Sequence, residues 1–246
     1  MMSKTEVTAA ALAIGDELLS GRTRDKNIGH LAQTLTSVGI NLREVRIVAD
    51  EENEIVAAVN ALREKYDYLF TSGGIGPTHD DITADAISKA FGVDCIYDED
   101  AMKLLAAHYK SREMEFTDAR QRMARMPQGS SHIDNPVSKA PGFNKDNVFV
   151  MAGVPKVFEA MLNNVVPTLK TGQKLLSRSV PCRHGEGVIG TPLGLIQKEN
   201  PDISIGSYPR FGDDGSFSTE IIVRGLSQSD VDKAAIEIEQ MLANLN

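Results

Sequence analysis

The stretch Ser72-Gly73-Gly74-Ile75-Gly76-Pro77-Thr78-His79-Asp80-Asp81-Ile82-Thr83 gathers the residue types that handle anions. Gly73, Gly74 and Gly76 follow an apolar, strand-like run and let the backbone come close to a ligand. Thr83 is placed to N-cap the helix that follows, whose free N–H groups point at the same spot. A glycine loop feeding a helix N-terminus is an anion cradle. Asp80 and Asp81 sit inside it, and two readings compete for them. One is favourable placement of carboxylates near a helix dipole. The other is metal and phosphate binding. Two carboxylates beside a phosphate cradle repel an anion unless a cation lies between, and Mg²⁺-type ions bind through one or two carboxylates plus substrate phosphates. The glycines also have a plain reading, as tight turns between strand and helix.

A second junction, Met151-Ala152-Gly153-Val154-Pro155, has the same character. If its strand lies beside the one that ends at the glycine loop, both cradles face one pocket. Asp16 and Glu17 follow the first strand and either reach that sheet edge or are solvated turn residues. The loop Asn135-Pro136-Val137-Ser138-Lys139-Ala140-Pro141-Gly142-Phe143 is rich in turn formers. Its Ser138 and Lys139 either contact phosphate or are exposed. Arg112, Arg120, Arg122 and Arg125 form a local basic cluster that meets an anion or makes a solvated helix face. Of five histidines only His79 lies in the glycine loop, and none has metal-ligand spacing. His30, His108, His132 and His184 read as structural or solvent-facing. No Ser-His-Asp or Cys-His arrangement and no P-loop is present.

These residues need a scaffold, and the hydrophobic pattern supplies one. A buried strand over 7–14 is followed by a helix starting near Asp25 or Asn27, with Ile28, Leu31, Leu35 and Val38 on one face. A strand over 42–48, a helix capped by Asp50, a strand over 68–71 and a helix over 83–90 complete β-α-β-α-β-α. That order predicts a mostly parallel sheet with helices on both faces. Residues 100–110 and 117–125 read as helical, 148–151 as a strand, and Pro155 as the first residue of a helix ending near 162. Pro167 and the segment 170–172 mark a boundary. Beyond it the pattern is strand, helix, strand, strand, helix, with a hairpin loop over 211–215. The expected domains are therefore 1–170, an α/β/α binding domain, and 171–246, a small α+β module.

Composition bounds the alternatives. The chain has 246 residues, 26 Lys+Arg against 34 Asp+Glu, and a net charge of −8. Overall acidity disfavours gripping nucleic-acid backbone. No apolar run approaches the roughly 18 residues a membrane span needs. The first strand is too short, and too soon followed by acids, to be a signal peptide. Cys95 and Cys182 are far apart in sequence, and a cytoplasmic, disulfide-independent protein is expected.

Taken together, 14–21, 25–27, 72–83, 135–143 and 153–155 make residues 8–165 resemble the molybdopterin-binding domain family of the MoaB, Mog and gephyrin G proteins. They are most similar to its competence- and damage-inducible (CinA) branch, and similar also to the N-terminal domain of eukaryotic FAD synthases. The tail, with Ile205-Gly206-Ser207-Tyr208-Pro209, resembles the small KH-like module of that branch. The resemblance implies a three-layer α/β/α fold that binds a pterin or nucleotide phosphate. It implies ligand contacts from Gly73, Gly74, Gly76, Thr78, Glu17, Asn27, Ser138, Gly142, Gly153 and Pro155. Asp81, Asp80 and Asp16 are the expected catalytic residues, with a divalent ion (Mg²⁺, Mn²⁺ or Co²⁺) expected on Asp80 and Asp81. It also implies a homo-oligomer, dimer or trimer. In the Mog and gephyrin G branch the loop ends Arg-Asp, and the Arg position holds Asp80 here. The Asp-Asp form fits metal-assisted hydrolysis of a nucleotide diphosphate such as ADP-ribose or FAD.

Two other functions remain open. One is molybdopterin binding or adenylylation in molybdenum cofactor biosynthesis. The other is a non-enzymatic binding module. In the latter the tail would act as an RNA-binding KH domain. Residues 172–246 carry 7 Lys+Arg against 10 Asp+Glu. The expected partner is a small nucleotide or pterin, with no nucleic acid and no membrane. The amidase domain of longer CinA proteins, and its activity, are not expected.

Overall fold

The computed structural model describes residues 6–211 and 217–245. The chain divides into two compact units, Met1–Gly172 and Gln173–Asn246.

The first unit runs β1 (Val7–Ile14), α1 (Asp16–Leu19), α2 (Asn27–Ser37), β2 (Ile40–Val48), α3 (Glu52–Lys65), β3 (Tyr68–Ser72) and α4 (Thr83–Phe91). It continues with β4 (Cys95–Tyr97), α5 (Glu99–Lys110), α6 (Asp118–Gln121), β5 (Arg125–Pro127), β6 (Ser131–Ile133), β7 (Gly142–Lys145), β8 (Val148–Met151) and α7 (Pro155–Val165). Six strands form the main sheet in the order β2-β1-β3-β8-β7-β6. The first four run parallel, and β7 and β6 are antiparallel additions at one edge. The small ribbon β4-β5 stands apart from it. The mostly parallel sheet read from the sequence is thus a mixed sheet with a parallel centre.

The period-2 alternation of strands sorts their side chains into two cores. Ala10, Leu12 and Ile14 of β1 pack with α3, α4 and α5, together with Val148 and Val150 of β8. Ala9 and Ala11, with Phe149 and Met151, pack with α2 and α7. A central strand buried on both faces shows a continuous apolar run, and β1 does. Leu12 is 1% exposed, and burial of that kind contributes about 2 kcal/mol per large aliphatic side chain.

Several local expectations change. Asp50 does not cap α3: Glu51 holds that position without a side-chain bond. Asp50 instead turns back and accepts from the Asp16 N–H at 3.0 Å. Thr83 is not the N-cap of α4 but its first residue, after Ile82. Its hydroxyl donates to the Gly73 carbonyl, so it ties the loop down rather than closing the helix end. The helix read over 117–125 breaks into α6, one 3-10 turn (Arg122–Ala124) and β5. Thr117 caps α6, but Pro127 cannot continue a helix and Arg125 is already extended. Helix α7 runs one turn past 162, because Val165 is buried.

The second unit contains β9 (Leu176–Cys182), α8 (Glu186–Glu199), β10 (Ser204–Phe211), β11 (Phe217–Gly225) and α9 (Gln228–Ala243). Its antiparallel sheet has the order β10-β11-β9. Ile189 and Leu193 of α8, and Val231, Ala234, Ala235 and Ile238 of α9, cover Val180, Ile221 and Val223. Phe211 ends β10, and the rest of the expected hairpin loop lies outside the described residues. Both cysteines are free thiols. Among the described residues no helix is long and apolar enough to cross a membrane.

Candidate functional site: a cleft at the parallel sheet edge

Strands β1, β3 and β8 are adjacent and parallel, so the segments that follow them emerge at one sheet edge. The condition set by the sequence is met: the glycine loop and the 152–155 junction stand side by side. Leu31 and Leu35 of α2, which follows β1, belong to one core. Ala84, Ala86 and Ile87 of α4, which follows β3, belong to the other. The connections diverge to opposite faces between β1 and β3. Such a switch point opens a crevice beyond the strand ends. There the structure has a cleft of about 600 Å³.

Backbone conformation builds the cradle. Gly73 has φ +111, and a Cβ there would stand 2.2 Å from the Ile14 carbonyl. Gly74 has φ +67, and its Cβ would meet the Thr83 hydroxyl. These glycines are therefore required by close approach of β1 and α4, whatever ligand they also serve. The Gly73 N–H is taken by the Met151 carbonyl at 3.1 Å, and Thr83 N–H bonds the Gly74 carbonyl at 3.0 Å.

The structure brings together Gly73, Gly74, Gly76, Asp80, Asp81, Glu17, Ser138, Gly153 and Pro155 on the cleft wall. Four other expected site residues have different places. Asn27 is 5% exposed and bridges the two junctions from beneath. Its Nδ2 donates to Ser72 Oγ at 2.7 Å and to the Gly153 carbonyl at 2.8 Å. Thr78 bonds within the loop: its N–H and hydroxyl donate to Asp81 Oδ2, at 2.8 and 2.5 Å. Gly142 lies in β7, where a Cβ would be 2.4 Å from the Val150 carbonyl, so packing fixes it. Asp16 contributes its backbone N–H to Asp50 rather than a wall.

Asp50 and Asn135 are among the wall residues not expected in the site from the sequence. Asp50 lies two residues past β2, the fourth parallel strand. An acid just beyond a strand end was a usable signal, and assigning it to a helix cap hid it. Asn135 is 2% exposed. It holds the 135–140 turn by donating to Ser138 Oγ and to the Ala140 carbonyl. Lys139 takes a left-handed φ of 64 in that turn.

The electrostatics are one-sided. Glu17, Asp50, Asp80 and Asp81 all line the cleft. Burial pushes the Asp50 carboxyl above its ordinary range, and the charges of Asp16, Glu17 and Asp80 push it further against the Asp16 N–H bond. Asp80 is held below its range by Thr78 and by its own backbone N–H. No three His, Cys, Asp or Glu side chains among the described residues form a group that could hold a metal ion. The donor set fits a hard cation only with oxygen ligands added by a bound molecule, the usual arrangement for Mg²⁺.

A family described as "probable molybdopterin binding domain" matches residues 10–171, most of the unit that carries the cleft. The chain belongs to this family. Over 213 residues the molybdopterin-binding-family chain is 38% identical to a protein of Pyrobaculum arsenaticum, covering 81% of this chain and 78% of that one. Over 252 residues it is 30% identical to a protein of Saccharolobus solfataricus, covering 97% and 93%. A solved structure described as the protein CinA with unknown function, from Thermoplasma acidophilum, superposes with a TM-score of 0.61. It is 33% identical, over 67% of this chain and 99% of that chain. The second unit matches a family described as "FAD synthase, middle domain" over residues 174–245. In this molybdopterin-binding-family chain the resemblance read from the loop motifs is therefore established, and so is the α/β architecture with its small added module.

Proposed function

We propose that the cleft binds a phosphate-bearing small molecule, a nucleotide or a pterin, and hydrolyses the diphosphate bond of a nucleotide such as ADP-ribose or FAD. One observation carries this reading. A glycine loop before a helix N-terminus and four carboxylates share a single cleft at a sheet switch point. The cradle suits phosphate and the carboxylates oppose it, a conflict that a divalent cation removes.

Asp80 and Asp81 would hold that cation, since both line the cleft and Asp81 is fixed by Thr78. When bound, a Mg²⁺, Mn²⁺ or Co²⁺ ion supplies charge neutralisation at a phosphoryl oxygen. The protein's own groups supply the rest. The loop N–H donors after Gly73 face developing negative charge on the phosphate. Glu17, on the cleft wall, orients the attacking water. The products are AMP and ribose 5-phosphate from ADP-ribose, or AMP and FMN from FAD.

The test is incubation of the purified protein with each substrate and each of the three ions. Turnover that is lost in Asp80→Asn supports the reading. No turnover with any ion, or turnover unchanged in both Asp80→Asn and Asp81→Asn, overturns it. The family description favours a second reading, molybdopterin binding or adenylylation. Calorimetry with molybdopterin distinguishes it, because saturable binding without nucleotide turnover belongs to that reading alone.

A further inference from the structure

The four clustered arginines meet different fates. Arg125 is neutralised by a two-pronged pair with Asp85. Arg120 bonds the Glu115 carbonyl and lies 4.5 Å over the Tyr109 ring. Arg112 is exposed. Arg122 is half-buried, and no carboxylate pairs with it among the described residues. Its Nη2 donates to the Asp81 carbonyl at 3.3 Å, and its Nε–H is buried with no partner. It lines a small recess with Gly74, Gly76 and Asp81, which also form the cleft wall. No Lys or Arg lines the cleft itself among the described residues.

We propose that Arg122 is the cationic determinant of phosphate affinity in this cleft, a positioning residue that acts from behind the glycine loop. A guanidinium is charged at every working pH. One with no carboxylate partner, its Nε–H buried beneath the loop, is screened less than a fully solvated charge and acts through that loop. Its bond to the Asp81 carbonyl also fixes the backbone that carries Asp80 and Asp81. The guanidinium, with no carboxylate partner among the described residues, thus offsets part of the carboxylate charge for an anion arriving on the other side of the loop.

This inference rests on the phosphate-ligand reading above, and the experiment separates the two. ADP is the probe and adenosine the phosphate-free control, each titrated by calorimetry in the presence of Mg²⁺. The proteins are wild type, Arg122→Lys, and the neutral variants Arg122→Gln and Arg122→Met, the last of which keeps the packing of the stem. The expected result is ADP affinity lowered on the order of tenfold in the neutral variants, the size of one charge-assisted contact. Adenosine affinity stays within about twofold of wild type by the same scale, and Arg122→Lys keeps most of the ADP affinity. A purely structural role would weaken both ligands alike and would not be rescued by lysine. Either outcome overturns the inference, as does unchanged ADP affinity in a folded neutral variant. If wild type does not bind ADP at all, the phosphate-ligand reading itself falls and takes this inference with it.

Discussion

Asn27 Nδ2 lies 2.8 Å from the carbonyl of Gly153, a residue 126 positions later, and 2.7 Å from Ser72 Oγ. One side chain at the start of α2 thus sets the spacing between the end of β3 and the start of the β8–α7 junction. Both halves of the cleft hang on this clamp, although its residue is buried beneath them. Asn27→Ala removes one buried and one partly buried bond and leaves the Gly153 carbonyl without this donor. The expected cost is about 1–3 kcal/mol, read from urea unfolding. Ligand affinity should fall as well, although the side chain lies outside the cleft wall. Unchanged stability would show that the two junctions are held by their strands alone.

Glycines in this chain separate by what surrounds them. Gly73→Ala places a methyl 2.2 Å from the Ile14 carbonyl at φ +111. Both the clash and the dihedral are unfavourable, and the fold should lose more than about 2 kcal/mol. Gly29 lies inside α2 with nothing within 4 Å of its Cβ position. Gly29→Ala should stabilise by roughly 0.5–1 kcal/mol through helix propensity. Thermal unfolding of the two variants should move in opposite directions.

The adjacent acids should also part company. Asp81 Oδ2 accepts from the N–H and hydroxyl of Thr78, so Asp81→Ala should loosen the loop and cost about 1–2 kcal/mol. The Asp80 side chain is 63% exposed, and Asp80→Asn should change stability by less than about 0.5 kcal/mol. Chemical denaturation of the two variants decides this. Asp80 is then the cleaner probe of chemistry at the loop.

The parts of the molecule legible in sequence were those governed by local pattern. The apolar run of β1, the heptad-like face of α2 and Pro155 at the head of α7 all act within a few residues. Loop 72–83 was legible because it concentrates glycine and acid between a strand and a helix. The illegible parts depend on partners far away in sequence. Asp50 looks like a helix cap until the Asp16 N–H, 34 residues earlier, is seen to bind it. Asn27 and Gly142 looked like ligand contacts because motif position does not say which side of a loop a residue faces. The short strands β4 to β7 were missed because runs of three or four residues carry too little periodicity to read.

Asp50 and Glu44 give stability effects of opposite sign with pH. The native Asp50 carboxyl is raised above its ordinary range, first by burial and then by the neighbouring charges of Asp16, Glu17 and Asp80. The folded state therefore binds its proton more tightly than the unfolded chain does. Its contribution favours folding at low pH and is lost as pH rises through the ordinary carboxylate value toward the raised one. Asp50→Asn removes the charge and keeps an oxygen to accept the Asp16 N–H. It should melt above wild type at pH 7, and the gap should close on acidification below about pH 4, where the unfolded carboxyl is also protonated. Glu44 is the reverse case. Bonds from Lys65, Tyr66 and Arg46 lower it to about 2. Its stabilisation is complete above the ordinary glutamate value and is lost as pH falls toward that lowered one. Glu44→Gln should therefore melt below wild type at pH 7 and converge with it near pH 2. Melting curves of the three proteins between pH 7 and pH 2 test both signs at once. An Asp50→Asn variant less stable than wild type at neutral pH would mean that the Asp16 bond outweighs the crowding of charge in the cleft.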